Sequence, residues 1–271
     1  LSIQRNHALV PAGGAGGAAG GGIFNGGTLT LVGTQIFENS ADYGGGIHNF
    51  ATAHLEATDL LLGANEALDG GGLWNNMAAE AVLNDVELRI NSASDRGAGI
   101  YNDGHLEINL GEFAENAGAE RGGGLYNLDG AEAFLYDAWF TNNSADRGGA
   151  VYNLGLLHLY RSSLTNNSAL AGFGAGAFNE MPGALLLRDV TISGNIADPA
   201  TPGGAGILNY GGEVRVEFVT LAYNSPDGIL NEAGGMVDMR STILSAHALG
   251  NCLDVGSAGY NLSSDDTCTS R

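Results

Sequence analysis

The chain has 271 residues, 30 of them acidic, with ten Arg and no Lys, for a formal net charge of −20. Such a charge repels phosphate backbones and anionic lipid, so nucleic acid is excluded as a partner, and no apolar run reaches the ~18 residues that mark a membrane-inserted helix. Gly (45) and Pro (5) together fall below the roughly 25–30% typical of aperiodic disordered chains.

The elements follow one another as a repeat. LSIQRNHA opens with Ile3 and Asn6. GGGIFN at 20–25 is then followed by GGGIHN at 44–49, GGGLWN at 70–75, AGIYN at 98–102, GGGLYN at 122–127, GGAVYN at 148–153 and GAFN at 176–179. The closing Asn of each motif forms a first column: Asn25, Asn49, Asn75, Asn102, Asn127, Asn153 and Asn179, continued by Asn209 and Asn231. A second column has an aliphatic residue or Phe three places before an Asn, giving Asn39, Asn65, Asn91, Asn116, Asn143, Asn167 and Asn195, then Asn224. Both keep a spacing near 26 residues. Between them lie alternating segments such as HLEIN at 105–109 and LHLYR at 157–161, and alternation predicts strands with one buried face.

Units this short cannot bury a face alone. Wound as one turn each, they stack with like strands in parallel at ~4.8 Å. The predicted fold is all-β: a right-handed parallel β-helix of about ten coils, with three strands of three to five residues per coil. In each motif the aliphatic residue and the Asn point inward, and a buried amide must be hydrogen-bonded. Asn stacked over Asn meets that need as a ladder. The coils are assigned to residues 1–250, and a terminal cap segment to 251–271. The insertions at 10–20 and 196–203 are expected to project from one edge. Cys252 and Cys268 are read as a disulfide closing the terminal loop, which places the protein in an oxidising compartment, secreted or at a cell surface. With Leu at position 1 and no signal-peptide pattern, the chain reads as a processed product or a fragment.

GTLTLVGTQIFENSADYGGGI at 27–47 and FTNNSADRGGAVYN at 140–153 resemble the GGA-I and F-x-x-N repeats of polymorphic outer-membrane proteins, and equally those of secreted bacterial right-handed β-helix proteins. NCLDVGSAGYNLSSDDTC at 251–268 is similar to the coil-ending segment of surface proteins with choice-of-anchor domains. The resemblance implies a secreted or surface-attached protein, often an adhesin.

Two columns are candidates for contact with a glycan or protein receptor. Phe24, His48, Trp74, Tyr101, Tyr126, Tyr152 and Phe178 precede the ladder Asn, so alternation turns them outward as a strip of rings. Stacking between coils is the plainer role of such rings. Arg96, Arg121 and Arg147 each stand between an acid and a Gly, as a charge ladder or as an anion-recognition strip. No cofactor and no metal are expected. Asp265 and Asp266 in the Cys loop are read as a turn, with calcium the alternative. Without Lys, and with each columnar Arg beside an acid, no catalytic set emerges. The expected function is a structural or adhesive surface protein, or a fibre subunit stacking end to end as a homo-polymer. The alternative is a polysaccharide-binding or polysaccharide-cleaving β-helix.

Overall fold

A computed structural model describes residues 1–8, 17–198, 200, 203–257, 259–265 and 267–268. Among them the chain is a parallel β-solenoid without helix. Ten strands stack in one sheet, from Ile23–Asn25 and Ile47–Asn49 to Gly250–Leu253. A sixteen-stranded sheet carries the alternating segments, and a six-stranded sheet runs from Glu66–Asp69 to Ile196–Ala197 along the middle of the rod. Like positions pair in register: Asn49 with Asn75, Asn75 with Asn102, Asn102 with Asn127. Three sheets agree with three strands per coil, but the strand lengths differ from expectation. Five early strands, such as His54–Gly63 and Glu80–Arg89, have ten residues and bend midway. Later coils divide the same path into two short strands, as in Leu156–Tyr160 and Ser163–Thr165.

The corners explain the bend. Asp59 (φ 55°), Asp85 (57°) and Asp137 (53°) adopt left-handed backbone in mid-strand, and Glu38, Ile90 and Glu115 do so just before a ladder Asn. Asp tolerates this conformation, whereas for Ile it is costly. Ile90 is held there because its side chain leaves for solvent while the next residue, Asn91, is locked into the ladder. The first Gly of the motif serves a third corner. Gly44 has φ +64°, and a Cβ there would strike the carbonyl of Ile47. Gly45 lies so close to the next coil that a Cβ would meet the Glu66 carbonyl.

Both Asn columns are continuous ladders. In the first, Nδ2 of each Asn from Asn25 to Asn209 donates to Oδ1 of the next at 2.8–2.9 Å. The second proton goes to a strand carbonyl, for example Asn75 to His105 at 3.0 Å. In the second column, Asn6 to Asn195 donate to the following Asn Oδ1 at 2.8–3.1 Å. There the backbone N–H adds a further bond to the same oxygen, as from Asn65 to Asn91 at 3.1 Å. An amide has two protons and two lone pairs, so its buried capacity is consumed by stacking. The main core between the sheets is aliphatic, with Phe113 and Phe140 stacked at 4.1 Å.

In the last coil the edge of the ten-stranded sheet is capped. Among the described residues no further strand lies beyond Gly250–Leu253 in that sheet. Instead, the N–H of Asn251 donates to Asp265 Oδ2 (3.1 Å) and Thr267 Oγ1 (2.9 Å), and that of Cys252 to Thr267 Oγ1 (3.2 Å). The Cys252–Cys268 disulfide, with Cα atoms 5.1 Å apart, clips this loop in place. The second ladder ends in a substitution: His247 Nδ1, in place of an Asn oxygen, accepts the Asn224 N–H at 3.1 Å.

Candidate functional site

The two candidate columns form one structure. Residue 96 lies in the six-stranded sheet, and the register sets Asp69, Arg96, Arg121, Arg147 and Phe173 directly over one another on successive coils. The Arg96 and Arg121 side chains reach across to the rings of the ten-stranded sheet, whereas Arg147 lies over Phe173 of its own sheet. The Arg96 guanidinium lies 5.0 Å from the Tyr101 centroid and 5.8 Å from that of Tyr126, while Arg121 lies 5.6 Å from Tyr152 and Arg147 5.1 Å from Phe173. Tyr101, Tyr126 and Tyr152 stack at 5.2 and 5.3 Å, and Phe178 meets Tyr152 edge-on at 4.9 Å.

The ring column faces away from the main core, as alternation requires, yet it is not an open strip. Tyr152 is 0% exposed, Tyr126 1%, His48 3%, and Tyr101 and Phe178 4% each. Leu128, Leu154, Phe173 and the Arg side chains roof it, producing a second apolar cluster outside the ten-stranded sheet. Trp74 is partly covered, and of the seven only Phe24 is open, at 53%. Six of the seven predicted contact rings are therefore covered, wholly or in part. Outward orientation was legible from alternation, whereas the roof depends on how neighbouring loops fold back.

Burial sets the protonation of this cluster. It lowers the His48 imidazole to about 4, leaving a neutral ring stacked on Trp74 at 4.6 Å. It also raises the Tyr101, Tyr126 and Tyr152 phenols above their ordinary value, and the bond from Tyr152 to Glu180 adds to the last. Asp69 is buried and pairs with Arg96 through two bonds, Nε to Oδ1 at 2.9 Å and Nη2 to Oδ2 at 2.8 Å. Burial pushes the carboxyl up while the guanidinium pulls it down, and the contact with Asp69 holds Arg96 firmly charged against its own burial. Among the described residues neither Arg121 nor Arg147 has a carboxylate in salt-bridge contact.

The remaining candidates sort as follows. The Cys252–Cys268 pairing is present. Asp265 serves the cap: burial raises its carboxyl, but bonds from Thr267, Asn251 and Ser263 outweigh this and hold it below the usual range. Asp266 lies outside the described residues, as does most of the insertion at 10–20. No group of three His, Cys, Asp or Glu among the described residues is placed to hold a metal ion.

Sequence reasoning missed a different set of rings. Phe134, Tyr136, His158 and Tyr160 occupy the solvent side of the sixteen-stranded sheet, in strands Glu132–Thr141 and Leu156–Tyr160, and all four are part-exposed. Tyr136 and Tyr160 stack at 5.3 Å within 9° of parallel, and Phe134 meets His158 at 4.9 Å. The signal was present in LHLYR, whose alternation sends His158 and Tyr160 outward. Comparison with family models, with curated proteins and with solved structures gives no match. The likeness to polymorphic outer-membrane and choice-of-anchor proteins thus rests on the motifs alone, and the coordinates establish a parallel β-solenoid.

Proposed function

We propose that this chain is an extracellular structural or adhesive solenoid, a rigid rod that works through its side surface. The observation that carries this reading is the capped edge of the ten-stranded sheet: a disulfide-clipped loop occupies backbone donors that another strand would otherwise use. A disulfide suits an oxidising compartment, and no helix here is long and apolar enough to cross a membrane. Every recurring Asn is consumed in stacking, which leaves the outward side chains as the variable surface. End-to-end assembly through the capped end requires the Cys252–Cys268 loop to move aside. The oxidised protein should remain short under negative-stain microscopy, with any filaments appearing only after reduction.

The adhesive reading is tested by immobilising the protein and passing over it intact cells, cell-envelope fractions and soluble polysaccharides. Retention without chemical change supports it. Release of reducing ends or unsaturated sugars from a polysaccharide, or retention of nothing, overturns it.

A further inference from the structure

The sixteen-stranded sheet turns one face to solvent, and its outward residues form rows across four coils. One row is Phe134, His158, Leu186 and Arg215, in register. The next is Tyr136, Tyr160, Arg188 and Glu217. Beside them a groove of about 340 Å³ is lined by Leu156, His158, Ala184, Leu186, Glu213 and Arg215. Ala184 makes the depression, because Leu156 and Glu213 fill the same position on the coils to either side.

We propose that this ring platform and its groove bind an uncharged oligosaccharide, with sugar rings stacking on Phe134, Tyr136, His158 and Tyr160. The inference rests on the adhesive reading above and names its ligand. A pyranose has an apolar C–H face and a rim of hydroxyls. The platform answers both: flat ring faces at its centre, and the Tyr hydroxyls, the His158 imidazole and the Arg188 and Arg215 guanidinia around it. His158 Nδ1 lies 3.2 Å from the Tyr160 hydroxyl, which ties the two rings into one surface. Burial lowers the His158 imidazole, so this ring stacks in its uncharged form at neutral pH.

Size and charge select the occupant. Three coil steps of ~4.8 Å by four residue rises of ~3.3 Å give a footprint of roughly 190 Å². A stable protein interface takes about 800 Å² from each partner, so a second copy of the chain or another folded protein would find too little here. The cations at the rim each face a carboxylate. Arg215 is bound to Glu213 at 2.8 Å, Arg188 lies 3.9 Å from Asp189, and the neighbouring Arg161 is bound to Asp137 at 2.8 and 3.0 Å. On a chain of net charge −20, no surplus positive charge is left to hold a polyanion.

The test is an array of neutral gluco-, xylo-, manno- and N-acetylgluco-oligosaccharides, with polygalacturonate and heparin fragments as acidic probes, followed by titration calorimetry. Retention of a neutral oligosaccharide is expected, weakened at least tenfold by Tyr160→Ala and by Leu186→Asn and unchanged by Arg147→Ala. Circular dichroism of each variant checks the fold, and the two platform variants act independently should one misfold. Three results overturn the inference: retention of acidic probes only, no neutral oligosaccharide held at millimolar concentration, or undiminished affinity in both platform variants. If the protein holds cells or envelope fractions but no neutral oligosaccharide, this inference fails and the adhesive reading stands. If it holds neither, both fail.

Discussion

Two stacks of aromatic rings run along this rod, and they differ in what covers them. On the ten-stranded sheet, Tyr101, Tyr126 and Tyr152 are roofed by leucines and guanidinia and nearly inaccessible. On the sixteen-stranded sheet, Tyr136 and Tyr160 stack at the same spacing but stay part-exposed. Ring stacking by itself therefore says nothing about binding. The residues beside the stack decide whether it is core or open surface.

The largest expected effect breaks the roofed stack. Tyr126→Ala removes a fully buried ring and should cost about 3–5 kcal/mol, whereas Tyr136→Ala on the open stack should cost less than about 1 kcal/mol. Chemical denaturation of both variants checks the difference. Asn102→Ala cuts the first ladder. Asn75 Nδ2 loses its acceptor, and Asn127 Oδ1 and the Glu132 carbonyl lose a donor, so a loss of about 2–4 kcal/mol is expected by the same measurement.

Acid should act most on the roofed side, through His48. A His whose folded value lies below its unfolded one leaves the unfolded chain to take the proton first, so stability is complete above ~6.5 and falls as pH drops. For His48 the loss continues to about 4 and reaches at most about 3 kcal/mol. His158 and His247 shift in the same direction. Melting temperature between pH 7 and 4 shows the decline, and His48→Phe should flatten part of it.

The Arg column provides the finest comparison. Arg96→Ala leaves the Asp69 carboxylate buried without its partner and should cost about 2 kcal/mol, reduced from the fully buried case by the part-exposed guanidinium. Arg147→Ala, at the exposed member of the column, should cost no more than about 0.5 kcal/mol. Equal losses would show that the column is not graded by burial.

Much of this architecture was legible in the sequence because stacking makes each position answer to its counterpart a coil away. Asn at 49, 75 and 102 needs a partner of its own kind, so the ladders, the parallel register and the coil period follow from the spacing. The disulfide followed from two Cys near the terminal coil. The left-handed corners at Ile90, Leu110 and Phe218 were not legible, since those residues disfavour that backbone; the ladder Asn91 fixes the chain beside Ile90, and strand pairs on either side fix it at Leu110 and Phe218. Nor was the roof. Alternation separates the two faces of a strand, but whether Leu128, Leu154 and Phe173 fold over the outer face is a tertiary fact. The candidate strip is therefore covered over most of its length, while LHLYR carries a pair of rings that stays part-exposed.

Tyrosine nitration of the native protein, mapped residue by residue by mass spectrometry, tests the contrast most directly, because the reagent needs both access and a phenolate. The account predicts that Tyr136 and Tyr160 react while Tyr101, Tyr126 and Tyr152 stay unmodified until the protein unfolds. Nitration of Tyr126 or Tyr152 at the rate of Tyr160 in the folded state would contradict it.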